Sequence, residues 1–286
     1  QEQHDENEAV VCYDADTGEA KWRFTYPARF QEPTSGAGPR ATPTFHDGAL
    51  YCQGATGTLV ALDAATGKER WRADPKADSG AKLPDWAFSG SPAVWNDVVI
   101  AAGGGPTGRL VGYDRATGKK LWTGGSGKAA YSSPQVVEVA GTPMALIFDA
   151  GGLAAFDPAT GAELWTHTWP EGGQEIKCIQ PNRVGPNSFL IGMGYGGGSR
   201  KLTVTKSGDK WEVKEDWRST RLKPKFNDVA VKDGFVYGLD EGVLTCVEVK
   251  TGKPRWKDGR YGYGQLVLAG DHLVVLSDEG FAAVVA

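Results

Sequence analysis

A short element recurs along this chain and narrows the folds open to it. It reads Asp14-Ala-Asp-Thr17-Gly18-Glu-Ala-Lys-Trp22 on first appearance. It returns with Asp63, Thr66, Gly67 and Trp71, with Asp114, Thr117, Gly118 and Trp122, and with Asp157, Thr160, Gly161 and Trp165. A last copy has Glu248, Thr251, Gly252 and Trp256. In each, the acid stands eight residues before the Trp and the Gly four before it. With Trp217 in a degenerate copy, the Trp residues mark a period of roughly 40–50 residues. Several strands per repeat at that period is the sequence signature of a propeller.

Each unit reads as four short strands, A to D, parted by Gly turns. In the second unit these are Ala41–Phe45, Ala49–Cys52, Leu59–Leu62 and Glu69–Arg72. The expectation is an all-β propeller of four-stranded antiparallel blades. Six blades carry the Trp, and the ring is either these six or a section of an eight-bladed one. The whole chain, 1–286, then forms a single domain. Five full blades span about 36–258, partial blade strands lie at 9–28 and 263–286, and 1–8 is a solvated acidic segment. The C-terminal A and B strands could close a ring by pairing with the N-terminal C and D strands, which removes exposed edges. Unit five keeps Trp217 but loses the Asp and Thr, and its third turn carries about four extra residues. No stretch reads as a helix of useful length.

The Asp-x-x-Thr-Gly segment suits the C–D turn. Asp and Thr side chains can accept backbone N–H bonds there, and Gly tolerates the positive φ of a bulged hairpin. The Trp on strand D, outermost in the blade, is expected to wedge between neighbouring blades. A buried Trp covers ~150–250 Å², an upper bound of roughly 4–6 kcal/mol at ~25 cal/mol per Å².

Bulk properties exclude several functions. The net charge of −4 comes from 31 Lys and Arg against 35 Asp and Glu, so no basic field attracts nucleic acid. No apolar run approaches the ~18 residues of a membrane-spanning helix. The four Cys, at 12, 52, 178 and 246, form no C-x-x-C or vicinal pair, which leaves metal and redox motifs unsupported. Asp14-x-Asp16-x-Gly18 opens like a calcium loop but lacks the third ligand and the distant Glu, so turn chemistry explains it. The glycine runs 103–108 and 194–198 join strands B and C and open no helix, which phosphate cradling requires. The His residues, 4, 46, 167 and 272, are scattered, and no Gly-x-Ser-x-Gly nucleophile elbow occurs.

The Asp-x-x-Thr-Gly-x-x-x-Trp element, in five good copies over 9–258, resembles the pyrroloquinoline-quinone (PQQ) repeat. That repeat builds the eight-bladed propellers of quinoprotein dehydrogenases and of non-catalytic relatives such as the outer-membrane β-barrel assembly lipoprotein. Gly38-Pro-Arg-Ala-Thr-Pro43, Tyr131-Ser-Ser-Pro134, Lys223-Pro-Lys-Phe226 and Gly259-Arg-Tyr-Gly-Tyr-Gly-Gln265 resemble PQQ-binding-like repeat proteins of environmental bacteria. Those carry further blades at both ends, so the resemblance places this chain at their middle. The dehydrogenase branch has a vicinal Cys-Cys disulfide, a Trp floor and a calcium site. This sequence has no Cys-Cys, and no carboxylate can be assigned to calcium by spacing.

The resemblance therefore implies a non-catalytic scaffold. It would bind other proteins in a membrane-associated complex of the bacterial envelope, in the periplasm or otherwise outside the cytoplasm, with no cofactor. The alternatives are a PQQ-dependent oxidoreductase or quinone binder using calcium, and a carbohydrate-binding propeller using Trp86 and Tyr263.

In a propeller, D–A loops surround the axial funnel, which places Arg40, Ser89, Tyr131, Gln180, Lys225, Asn227 and Tyr263 around it. Thr42, Ser91, Ser132 and Lys177 lie beside them. Such groups could bind an anionic or planar ligand or could satisfy buried backbone near a wet axis. Trp86 and Trp169 also fall in D–A loops, where they either face a partner protein or plug a blade junction. The long 75–88 and 168–178 loops are where blades differ most.

Overall fold

The computed structural model describes residues 1–34, 36–169 and 176–286. Among them, five antiparallel sheets have four strands in sequence order, each strand bonded to the next. Blade 2 is Thr44–His46, Ala49–Gln53, Leu59–Asp63 and Glu69–Ala73. Blade 3 is Ala93–Trp95, Val98–Gly105, Gly108–Asp114 and Lys120–Gly124. Blade 4 runs from Gln135 to Thr168, blade 5 from Asn182 to Ser219 and blade 6 from Ala230 to Arg260. Three-stranded sheets stand at either end of the described chain, Glu2–His4 with Asn7–Tyr13 and Ala20–Pro27, and Gln265–Ala269 with His272–Leu276 and Ala282–Val285. These blades are the expected propeller units.

The chain divides into two compact units, 1–137 with 143–149 and 155–163, and 138–142 with 150–154 and 164–286. In the first, Tyr51, Leu59, Ala61 and Trp71 of blade 2 pack with Val99, Val111 and Tyr113 of blade 3. In the second, Leu190, Val236 and Val247 form a core, as do Leu239, Leu244, Leu273 and Val275. The middle strands of blades 2 to 4 are buried over most of their length, which is why they read as continuous apolar runs.

The repeat element does two jobs at once. In blade 2 the Asp63 carboxylate accepts N–H and O–H bonds from Thr66, and the Gly67 N–H closes the turn onto the Asp63 carbonyl at 2.8 Å. The register slips by one residue between Ala61 and Leu62, a bulge that recurs beside Trp22, Trp122 and Trp256. The repeat glycines have φ between 69° and 74°. Each of four also lies under the Trp of the preceding blade: Gly67 under Trp22, Gly118 under Trp71, Gly161 under Trp122 and Gly252 under Trp217. Three of those indoles donate to a carbonyl in the turn they cover, Trp22 to Ala64, Trp71 to Arg115 and Trp217 to Val249.

Two Trp positions differ. Trp165 is buried, but blade 5 has lost the element, and its indole N–H has no partner among the described residues. Trp256 is 40% exposed and leans on Tyr237 of its own blade rather than wedging between two.

Several expectations need correction. The acidic start is not a solvated tail. Glu2–His4 pairs with Asn7–Ala9 through a turn at Asp5, whose φ is 49°. This strand completes the first three-stranded sheet, and the C-terminal strands form a separate one. Glu8 is fully buried, accepting from the Tyr26 hydroxyl at 2.6 Å and the Ala55 N–H at 3.0 Å.

In blade 5 the extra residues lengthen strands instead of a turn. Gly198–Ser207 and Lys210–Ser219 form a long hairpin closed at Gly208 and Asp209. The 75–88 loop contains a helix, Pro75–Ser79, capped by the Asp74 side chain and ended by Gly80 at φ 70°. Pro at the first turn and Gly just past the last are ordinary helix punctuation, but five residues are too few to show a period. Of the 168–178 loop, residues 170–175 lie outside those described.

Candidate functional site

The predicted site residues fall into two sets. Arg40, Ser89 and Tyr131 belong to the first compact unit, and Gln180, Lys225, Asn227 and Tyr263 to the second. Most starts of A strands serve the neighbouring blade's backbone. The Thr42 N–H donates to Ser91 Oγ, and the Ser91 N–H to Ser133 Oγ, both at 2.9 Å. The Ser89 hydroxyl donates to the Tyr131 carbonyl at 3.1 Å. In the second unit the Gln180 N–H donates to Asp228 Oδ1 at 2.7 Å. Buried backbone groups need such partners, and short polar side chains at the entry of each blade supply them.

Arg40 is likewise engaged locally. Its guanidinium donates to the Gly38 carbonyl at 2.8 Å and the Gly36 carbonyl at 3.1 Å, pairs with Glu32 at 3.7 Å and lies over the Phe30 ring. Lys177 is buried and donates to the Ala150 carbonyl.

Lys225 and Tyr263 come together in a different kind of arrangement. The Lys225 ammonium stands 4.1 Å from the Tyr263 ring centre, 4.2 Å from that of Tyr195 and 5.2 Å from that of Phe226. Phe226 meets Tyr263 edge-on at 5.6 Å and Tyr195 at 6.4 Å. All three rings are exposed, by 41–43%. Tyr195 sits in the B–C turn of blade 5, Lys225 and Phe226 in the loop from blade 5 to blade 6, and Tyr263 in the next such loop.

The sequence reading missed Tyr195 and Phe226. The Gly194–Gly198 run was a usable signal, since a Cβ at Gly194 would lie 2.9 Å from Lys225 Cβ. The glycine makes room for the lysine stem. Beside the cluster, Asn227 is buried, with an amide nitrogen that has no partner among the described residues.

The glycine run 103–108 also makes room, here for the short helix. A Cβ at Gly103 would lie 2.8 Å from that of Ser79, and Thr107 donates to the Ser79 carbonyl at 2.9 Å. The loop beyond the helix presents Leu83, 43% exposed, and Trp86, half-buried against Tyr131 edge-on at 5.8 Å. Trp169 is buried under the Arg200 guanidinium at 4.3 Å, so it packs inside its unit.

The acids and thiols are accounted for structurally. Lys21 and the Thr17 and Asp16 amides hold the Asp14 carboxyl down at about 2, and Arg70 with Thr66 does the same for Asp63. Asp14 is thus part of its turn, as expected. All four cysteines are free, and burial pushes the Cys52 and Cys178 thiols up to about 12. Among the described residues no three His, Cys, Asp or Glu side chains converge as a metal would need. No helix among them is long and apolar enough to cross a membrane.

The comparisons with known proteins agree with the repeat. Residues 6–258 match the family described as outer membrane protein assembly factor BamB. The quinohemoprotein alcohol dehydrogenase ADH IIB of Pseudomonas putida is 40% identical over 89 residues, 30% of this chain and 12% of that protein. The dehydrogenase subunit of the Acetobacter aceti quinone alcohol dehydrogenase is 42% identical over 90 residues, again 30% and 12%. The matched stretch is therefore a small part of these curated relatives. Among solved structures, BamB from Moraxella catarrhalis superposes with a TM-score of 0.63 at 18% identity, covering 96% of this chain and 76% of that one. A computationally designed protein, Ika8, superposes at 0.57 with 15% identity, covering 86% and 71%. With its repeats, its four-stranded blades and a family match over most of its length, the chain belongs to the PQQ-repeat propeller family described as outer membrane protein assembly factor BamB.

Proposed function

We propose that this protein is a non-catalytic propeller scaffold that binds other proteins in the bacterial cell envelope, outside the cytoplasm. The observation that carries this reading is the use made of the repeat. In most copies its acid, hydroxyl, glycine and indole serve turns and blade-to-blade packing, which leaves the loops, where the blades differ, as the surface for recognition. The family match over 6–258 supports the same reading. The surface best suited to a partner is the helix-anchored loop with Leu83 and Trp86. Exposed aromatic and aliphatic anchors on rigid supports are the usual centres of protein interfaces. Affinity isolation of the tagged chain from native envelope tests the reading. A defined partner supports it, and recovery of monomer alone counts against it.

A second reading, quinone binding, is favoured by the 40% identity to a quinohemoprotein dehydrogenase over 89 residues. It requires saturable binding of PQQ in the presence of calcium. No binding at high micromolar PQQ would end it.

A further inference from the structure

We propose that Tyr195, Lys225, Phe226 and Tyr263 form a binding site for an acidic saccharide, a pyranose ring bearing a carboxylate. This is independent of the scaffold reading, and either can fail without the other.

The first observation is an ammonium without an acceptor. Lys225 is half-buried, and among the described residues its Nζ has no carboxylate or carbonyl partner, only three ring faces. Ring quadrupoles attract the charge but leave the three N–H donors unused. Two lysines of the same region are engaged differently, since Lys223 and Lys257 both pair with Asp240. A carboxylate arriving at Lys225 would make charge-assisted hydrogen bonds, the stronger kind.

The second observation is that the rim is built and held open. Tyr195 occupies a turn position with φ 56°, where a bulky residue is costly and Asn, Asp or Gly is usual. The turn is closed by the Gly197 N–H on the Gly194 carbonyl at 3.0 Å. The Lys225 ammonium lies against the face of this ring at 4.2 Å. The Tyr195 and Tyr263 hydroxyls have no partner among the described residues. The site thus offers an ammonium, two phenolic hydroxyls and three partly bare rings.

The third observation separates a sugar from a peptide. Two main-chain groups at the cluster are already engaged. The Phe226 carbonyl accepts from Gln265 Nε2 at 3.2 Å, and the Tyr263 N–H donates to Asp278 Oδ2 at 2.8 Å. An extended peptide would find its backbone unmatched there, whereas a uronate needs only side chains. Its carboxylate meets the ammonium, its hydroxyls meet the phenols, and its C–H face lies on an aromatic ring. The net charge of −4 supplies no general attraction for anions, so selectivity must come from this local geometry.

Calorimetric titration of the full chain tests the proposal, with a short oligogalacturonate, its methyl ester, a neutral maltooligosaccharide and an Asp-rich peptide as probes. Saturable binding of the oligogalacturonate alone is expected. Lys225→Gln should weaken it by about tenfold or more, and Tyr263→Phe, which keeps the ring, by roughly threefold to tenfold, from the hydrogen bonds each removes. Unchanged near-UV circular dichroism and urea midpoints show that both variants fold. Four outcomes would overturn the proposal: no saturation at millimolar sugar, equal binding of the ester or the neutral sugar, tighter binding of the acidic peptide, or full affinity in Lys225→Gln.

Discussion

Gly118 lies directly beneath Trp71: a Cβ on the glycine would stand 2.7 Å from the indole, and that indole donates to the Arg115 carbonyl of the same turn at 2.9 Å. The positive φ and the missing side chain are therefore needed at one position for two reasons, the turn's backbone and the docking of the preceding blade. Trp71→Ala should cost about 3–5 kcal/mol, and Gly118→Ala about 1–3 kcal/mol from left-handed strain and overpacking. In urea melts the double variant should lose less than the sum of the two, because both remove one contact. A loss below about 1 kcal/mol for Trp71→Ala would contradict the wedge.

Glu8 makes stability depend on pH in a defined direction. Burial pushes its carboxyl above the usual range, against the lowering effect of its bonds to Tyr26 and Ala55. A group with a raised folded pKa contributes stability that is fully present below its unfolded value, about 4.3, and lost as pH rises through the folded value. The stability of wild type relative to Glu8→Gln should accordingly fall as pH climbs from about 4 and then level off. A difference that is flat, or that rises with pH, would show that Glu8 is not a strained buried acid.

Asp63 should behave in the opposite sense. Arg70 and Thr66 hold its carboxyl at about 2. The stability this gives is present above the unfolded value of about 3.9 and lost as pH falls toward 2. Asp63→Asn should show a shallower loss of stability between those limits in acid titrations followed by circular dichroism.

Arg109 and Asp149 form a buried two-point ion pair, with Nε to Oδ2 and Nη2 to Oδ1 both at 2.6 Å. Asp149→Ala strips both acceptors from a guanidinium that is 6% exposed, at a cost of about 3–5 kcal/mol. An apolar double replacement, Arg109→Met with Asp149→Leu, should recover much of this. Thermal melts of the three proteins give the comparison.

Thiol reactivity provides a probe of burial. Cys52 is fully buried with its thiol pushed up to about 12 by desolvation, so little thiolate forms near pH 8. Alkylation at that pH should spare Cys52 in the native protein and modify it once urea unfolds the chain. Fast labelling of native Cys52 would mean that blade 2 opens readily.

What the sequence revealed, and what it hid, follows from the range of the interactions involved. The C–D turn and its Trp lie within nine residues, so their roles could be read locally, and five copies averaged out the noise. The first strand was hidden because Gln1–Glu8 is polar throughout, although Glu8 is satisfied by Tyr26 and Ala55, both far along the chain. Pro75–Ser79 carried correct caps but no period. The cluster at Lys225 was half legible. Lys225 and Tyr263 were marked by their places at A-strand entries, whereas Tyr195 reaches them from a glycine turn that looked like mere connection. Most other entry residues turned out to serve backbone, because a blade's first strand leaves amides that only its neighbour can satisfy.

The central claim, that this is an interaction scaffold, is tested most directly by mild cross-linking in native envelope. The tagged full chain would then be isolated, with Leu83→Asp in parallel. The account predicts a defined partner protein recovered in fixed ratio with the wild type and sharply reduced with the variant, whose fold is unchanged by circular dichroism. Recovery of monomer alone from both would contradict it.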